Sequence, residues 1–400
     1  MTNNILLISN GHGEDVIGAK LLQNLIKRNQ NINIKVLPIV GLGSVYNSLD
    51  VQLIGPRKKM PSGGLLRFNF ENMKNDFKAG LLGLTLSQIK TLKKAKANTG
   101  LVIVVGDIYI LLLAGLFVNK DIIFLPTAKS EYINGHYWIE NLIMKKYANI
   151  VLPRDKKTEK AMRKAGINAT YVGNAMMDCF DIKQAEFGLD KEKITVGILP
   201  GSREEAYVNM KQVFKVIEEL EDKAETGFNY ITAMASNLSV LKLIDMVQTT
   251  DWTYQASPAE SRENGVELIV NSPSNKSKVE IIYHHFGDVL DKSDIFIGLA
   301  GTANEQAAGM GKPVVAFPVN DTQFTEKFAK AQKSLLRGSV SLVENNPEII
   351  AETIINIINN KEMYRRMSTA GKKRMGEPGA IKNMNDIIIE FLRKKVGKYE

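Results

Sequence analysis

The chain is 400 residues long, with 52 Lys/Arg against 43 Asp/Glu, a formal charge of +9 at pH 7 and 44% apolar residues. That length exceeds one ordinary core and points to two domains, and the apolar share is that of a soluble globular protein. A single cysteine, Cys179, and four histidines without metal-ligand spacing exclude a disulfide framework and a cysteine-built zinc site, so a reducing cytoplasm is the expected compartment.

Met-Thr-Asn-Asn runs straight into Ile5 to Ser9, which reads as a first buried strand rather than a signal peptide. Ser9-Asn10-Gly11-His12-Gly13-Glu14-Asp15 then closes the strand and leads into a helix at Val16. Gly11 and Gly13 permit close backbone approach, and His12, Glu14 and Asp15 gather titratable groups at the open edge of a sheet, where ligands of such folds bind. His12 reads as a general base or as a hydrogen-bonding group. The alternative for Glu14 and Asp15 is that they only complement a helix N-terminus.

Ile34 to Ile39 is the next strand, and Met60 to Phe70 joins Gly, Arg and aromatic residues in an irregular segment suited to a lipid or a membrane. Leu101 to Val105 is a third strand, and Gly106-Asp107-Ile108-Tyr109 sets a carboxylate at its carboxyl end. Asp107 is either a proton acceptor for a hydroxyl nucleophile or the N-cap of the helix that follows. The longest apolar run, Ile108 to Val118, falls short of the roughly twenty residues that cross a bilayer and reads as a core helix. Ile122 to Leu125 leads to a polar rim, Thr127-Ala-Lys129-Ser-Glu131-Tyr132, and Ile150 to Leu152 leads to Pro153-Arg154-Asp155 with Thr158, a turn and helix cap. Short apolar runs alternating with helix-length segments predict a parallel α/β sheet.

Val172 to Asp181 breaks this pattern, so the boundary is placed near residues 174 to 192, with a first domain over residues 1–175 and a second over 190–375. A second strand series runs through Ile194 to Leu199, Asn229 to Ala235, Val266 to Val270, Asp294 to Ile297 and Pro313 to Phe317, giving two Rossmann-like domains that should face a central cleft. Within it, Leu199-Pro-Gly201-Ser202-Arg203 and Gly298-Leu-Ala-Gly301-Thr302-Ala-Asn-Glu305-Gln306 are each a strand end and a Gly turn opening a helix. Such turns present backbone N–H groups to an anion, and the Arg203 guanidinium can grip a phosphate bidentately. A shared nucleotide cleft and a phosphorylated substrate follow. Gly376-Glu-Pro-Gly379 then punctuates the chain, and residues 376–400 hold a last amphipathic helix, Ala380 to Lys395, expected to return to the first domain.

Residues 1–180 carry 24 Lys/Arg against 12 Asp/Glu, a balance of +12, and the remainder 28 against 31, a balance of −3. Arg57-Lys58-Lys59, Lys90 to Lys96 and Lys145-Lys146 suit an anionic membrane surface, or are solvated helix faces. Interleaved aromatics of the nucleic-acid-binding kind do not accompany this charge, so nucleic acid is not an expected partner.

These motifs resemble nucleotide-sugar glycosyltransferases of the GT-B fold, specifically lipid-A-disaccharide synthase and its related branch. Leu199 to Arg203 and Gly301 to Gln306 with Lys312-Pro-Val-Val resemble that family's two donor-site signatures, Val172-Gly-Asn174 stands where the family has Val-Gly-His-Pro, and Ser9 to Asp15 resembles the related branch's first loop. The resemblance implies inverting transfer of a sugar, an N-acetylhexosamine by expectation, from a UDP donor to a hydroxyl of a lipid-linked or hydrophobic acceptor. It implies no cofactor, with the UDP-sugar as co-substrate, and a peripheral location on the cytoplasmic face of the membrane. Gly201, Ser202, Arg203, Gly301 and Thr302 would meet the diphosphate, Glu305 or Gln306 the ribose, and Asn320 and Gln323 the sugar. Asp107 or His12 would deprotonate an acceptor held by Gly11, Gly13, Glu14 and Asp15. The chain departs from the synthase at Gly106-Asp107-Ile108-Tyr109, where the synthase has Asp-Xaa-Pro-Asp-Phe-Asn, so acceptor identity does not carry over. Two other classes share the donor pocket: a non-hydrolysing UDP-N-acetylglucosamine 2-epimerase and a catalytically silent nucleotide-sugar-binding protein.

Overall fold

The computed structural model describes residues 4–29, 32–58, 80–127, 129–224 and 226–396, so the Met60 to Phe70 segment and Lys59 lie outside the described residues. The chain divides into two compact units, one made of residues 1–179 with 378–400 and the other of residues 180–377.

In the first unit β1 (Asn4–Ser9), β2 (Asn33–Pro38), β3 (Gln52–Leu53), β4 (Leu101–Gly106), β5 (Asp121–Pro126) and β6 (Ile150–Val151) form a parallel sheet in the order β3-β2-β1-β4-β5-β6. β4 is buried along its whole length, as a central parallel strand covered on both faces must be, which is why it reads Leu-Val-Ile-Val-Val-Gly without polar alternation. Side chains of β1 part by the period of two: Ile5 and Leu7 join a core with Leu21 and Leu25, while Leu6 and Ile8 join one with Ile110 and Leu111. The first core is closed by the helices His12–Arg28 and Ala380–Val396, the latter contributing Met384, Ile388 and Leu392. Asp178 accepts hydrogen bonds of 2.6 Å from the N–H groups of Gly379 and Ile381 and so fastens the start of that last helix. On the other face lie the helices Leu81–Ala95, Ile108–Phe117 and Trp138–Tyr147. The apolar helix Ile108–Phe117 is a core element, with Ile110, Leu111, Leu113 and Ala114 buried.

The second unit holds β7 (Thr195–Leu199), β8 (Asn229–Met234), β9 (Thr253–Ala256), β10 (Val266–Asn271), β11 (Lys278–Tyr283), β12 (Ile295–Gly298), β13 (Val314–Ala316) and β14 (Val340–Leu342) in the order β14-β13-β12-β7-β8-β11-β10-β9. β10 runs antiparallel to both β9 and β11, a meander at one edge, while the remaining pairs are parallel. β9 escaped the sequence reading because all four of its residues are exposed, leaving no apolar signal. β11 was hidden by Glu280, a buried carboxylate ion-paired with Lys278 in the middle of an otherwise apolar run.

Candidate functional site

In an open α/β sheet ligands bind outside the carboxyl ends of the strands where strand order reverses. Chain order places that reversal between β1 and β4 in the first sheet and between β7 and β12 in the second. The Ser9–Asp15 and Gly106–Tyr109 loops leave β1 and β4, and the Pro200–Arg203 and Leu299–Thr302 loops leave β7 and β12. Each pair of motifs singled out in the sequence therefore borders a switch point.

In the second unit the two loops lie side by side, the N–H of Leu299 donating to the Leu199 carbonyl at 2.9 Å. Gly201 sits at φ 110°, a conformation that side-chain-bearing residues rarely adopt, and Ser202 and Arg203 are exposed beside it. Buried amides shape both turns. Asn209 Nδ2 donates to the Pro200 carbonyl at 2.8 Å, and Asn304 Nδ2 donates to the Gly298 carbonyl at 2.9 Å and to Gln332 Oε1 at 2.8 Å. Gln332 Nε2 in turn donates to the carbonyls of Ala300 and Gly301, both at 2.9 Å. Three carbonyls of one turn are thus bound by the protein, while the first N–H groups of the helix Thr302–Gly309 have no intrahelical acceptor. Sequence reading missed Asn209 and Gln332, which lie on helices away from the glycines and become partners only by folding. Gln306 is buried at 5% exposure whereas Glu305 is half-buried, so of the two ribose candidates Glu305 is the one a ligand can reach. Asn320 and Gln323 are exposed on the loop after β13, and the Gln323 N–H donates to Glu205 Oε1 at 3.3 Å, at the N-terminus of the helix Glu205–Lys223.

In the first unit Asp107 is an N-cap: its Oδ1 accepts from the N–H of Tyr109 at 3.0 Å and of Ile110 at 3.3 Å. Its Oδ2 accepts from Asn10 Nδ2 at 2.8 Å, and Gly106 makes that reach possible, since a Cβ there would stand 2.8 Å from the Asn10 Cβ. Glu14 Oε1 accepts from Thr127 Oγ1 at 3.1 Å, linking the loops after β1 and β5. Burial raises both carboxyls above their ordinary range, for Glu14 with further contributions from the charges of Asp107 and Asp15.

Asp15 requires a correction: it is buried at 4% exposure and accepts from Ser9 Oγ at 2.5 Å, with Tyr46 OH donating to Ser9 at 3.0 Å, so it braces the loop from within and is no contact for an acceptor. The helix also begins at His12 rather than Val16, which puts Gly13 and Glu14 in its first turn. Gly11 has φ 112°, while Gly13 faces open space; the His12 side chain lies outside what the structure describes. The polar rim is more ordered than its sequence suggested. Lys129 pairs with Glu140 at 2.7 Å and lies 4.1 Å over the Tyr137 ring, Ser130 donates to Asp155 at 2.7 Å, and Arg154 donates to the Thr127 carbonyl at 3.3 Å. Beside Thr127 and Arg154 an apolar pocket opens, lined by Ile17, Leu125, Met176 and Met384. Among the described residues no group of three or more His, Cys, Asp or Glu is placed to hold a metal ion.

No protein-family model matches the chain. Over 212 residues it is 24% identical to a UDP-N-acetylglucosamine–N-acetylmuramyl-(pentapeptide) pyrophosphoryl-undecaprenol N-acetylglucosamine transferase of Pediococcus pentosaceus, covering 51% of this chain and 50% of that protein. It is 24% identical to a lipid-A-disaccharide synthase of Persephonella marina (55% and 58% covered) and 26% identical to a UDP-N-acetylglucosamine 2-epimerase of Neisseria meningitidis (56% and 54% covered). The chain thus spans about half the length of the curated relatives it matches. Among solved structures, a UDP-N-acetylglucosamine 2-epimerase from Listeria monocytogenes superposes with a TM-score of 0.61 at 16% identity, covering 98% of this chain and 97% of that one. The transferase MurG of Acinetobacter baumannii gives 0.55 at 12% identity, covering 97% and 99%. The chain has the GT-B fold. This GT-B chain is similar at low identity to glycosyltransferases and to epimerases alike, and the similarity does not separate the two.

Proposed function

We propose that this GT-B protein is an inverting glycosyltransferase that moves a sugar, an N-acetylhexosamine, from a UDP donor to a hydroxyl of a lipid-linked or hydrophobic acceptor. The observation that carries the donor half is the pair of amide-braced turns at the β7/β12 switch point, with the exposed Arg203 beside them. Backbone N–H groups and a guanidinium that reach one diphosphate stabilise it as negative charge develops on it, which serves a leaving group departing without a metal ion. Glu305 then takes the ribose, and Asn320 and Gln323 the sugar. In support of the donor class, a solved structure covering 98% of this chain at a TM-score of 0.58 and 16% identity, the Neisseria epimerase, has UDP-N-acetylglucosamine bound.

The acceptor half rests on the first unit. Tyr137, Trp138, Ile139 and Leu142 are exposed on one helix, with Leu82 and Leu86 on another, and Lys145, Lys146, Lys93 and Lys94 sit in the last turns of the same two helices. Exposed aromatic and aliphatic side chains next to lysines are the composition of a face that rests on anionic headgroups, so we infer peripheral attachment to a membrane. No helix among the described residues is long and apolar enough to cross one.

The second reading, a non-hydrolysing UDP-N-acetylglucosamine 2-epimerase, is favoured by the equal similarity to such enzymes. Thermal stabilisation by UDP, UDP-N-acetylglucosamine, UDP-glucose, GDP-mannose and NAD tests the donor site, because a ligand bound only by the folded state raises the melting temperature. A shift with UDP compounds that disappears in Arg203→Ala is expected, and no shift with any UDP compound in a folded sample would sink both readings. Product analysis separates them: UDP release with sugar transfer for the first, a 2-epimer for the second.

A further inference from the structure

We propose that Glu14, rather than Asp107, is the group that removes the proton from the acceptor hydroxyl; this rests on the glycosyltransferase reading. Asp107 has committed three of a carboxylate's roughly four acceptor positions to structure, with two backbone N–H groups on Oδ1 and the Asn10 amide on Oδ2. A carboxylate that caps a helix this way is held in place by the fold and has little lone-pair density left to aim at a substrate.

Glu14 is differently placed. It stands in the first turn of the helix after β1, half-buried, at the β1/β4 switch point, and the only side chain donating to it among the described residues is that of Thr127, on Oε1. That one bond fixes the carboxylate's direction, while Gly13 beside it faces open space and Gly11 keeps the approach to the loop narrow in side-chain bulk. The charged groups around it are Asp15 on its own helix, Asp107 after β4 and, past Thr127, Arg154 after β6, with Glu140 acting on Asp107. Two nearby carboxylates and partial burial make Glu14 a stronger base than a solvated glutamate, as a general base working near neutral pH requires.

A lone pair of the acceptor hydroxyl oxygen forms a bond to the anomeric carbon of the UDP-sugar. The bond from that carbon to the β-phosphate oxygen breaks with its electron pair, leaving UDP, and the hydroxyl proton passes to Glu14, which returns it to solvent.

The test measures UDP release from UDP-N-acetylglucosamine with water as the acceptor, beside the thermal shift by UDP, in the full chain. Glu14→Gln is expected to keep the UDP shift and to lose turnover by at least about 100-fold. The acidic limb of the wild-type pH–rate profile should lie above the ordinary carboxylate range, move down in Asp107→Asn, which removes a like charge, and be absent from the residual activity of Glu14→Gln. Turnover near the wild-type rate in Glu14→Gln, or a limb that persists there and vanishes in Asp107→Asn, overturns the assignment while leaving the donor reading intact. Loss of both UDP shift and UDP release in the wild type is the different result that removes the glycosyltransferase reading and this base with it.

Discussion

Two carboxylates a few residues from two strand ends are put to opposite uses, and the difference is readable in stability as well as in rate. Asp107 caps a helix, so Asp107→Ala should destabilise the fold by about 1 kcal/mol while Asp107→Asn, also a good cap, should cost less. Denaturant unfolding of the two variants checks this, and equal losses would mean that charge rather than capping is what matters. Burial raises the Asp107 carboxyl too, which opposes its capping gain, whereas Glu14 caps no helix and only the opposing effect remains for it. Its folded pKa is raised, so the stability it contributes is full below its unfolded pKa and is lost as pH rises through the folded one. Glu14→Gln should therefore be more stable than wild type at neutral pH, with the gap closing as pH falls toward the ordinary carboxylate range. A functional group that the fold would be more stable without is the usual sign of an active-site residue. A Glu14→Gln protein less stable than wild type at pH 7 would place Glu14 among the bracing residues, with Asp15.

At the scale of elements, the donor turns are held by side chains from helices that follow them. Asn304 sits inside the helix the second turn opens, and Gln332 lies on the next helix, Glu326–Leu336, yet together they bind the carbonyls of Gly298, Ala300 and Gly301. Removing Gln332 leaves two carbonyls without a buried donor at about 1–3 kcal/mol each in fold stability, and a turn loosened in this way should bind UDP more weakly. Gln332→Glu should cost more than Gln332→Ala, because glutamate still accepts from Asn304 but sets a buried carboxylate oxygen against the two carbonyls. Titration of UDP by calorimetry measures this; unchanged affinity in both would show that the turn keeps its shape by backbone alone.

At the scale of the whole molecule, charge is partitioned along the chain: residues 1–180 carry the positive excess and the remainder a slight negative one. In the first unit that charge accompanies an exposed apolar face, where Trp138 is 73% exposed and Leu142 52%. The full chain should sediment with vesicles containing phosphatidylglycerol and far less with vesicles of phosphatidylcholine alone, the former weakening with salt. Trp138→Ala combined with Leu142→Ala should reduce binding without lowering thermal stability, since neither side chain is in a core. Binding that ignores both lipid charge and these substitutions would assign the face to something other than a membrane.

Much of this molecule is written locally. The strand β4 and the helix Ile108–Phe117 follow from apolar runs whose length and burial leave few choices, and Gly201 marks the turn after β7 because few other residues adopt its φ of 110°. Those features mark the loops at the two switch points. What local sequence leaves open is partnership. That Asp107 answers to Asn10 and to its own helix, that Asp15 turns inward to Ser9, that Glu14 meets Thr127 some 113 residues away, and that Gln332 reaches back to Ala300 are facts of three-dimensional packing. A hydrogen bond between residues distant in the chain has no periodicity to betray it, since it exists only once sheet order has brought the two loops to the same edge. The antiparallel turn of β10 was decided in the same way, by the strands available beside it rather than by its own residues.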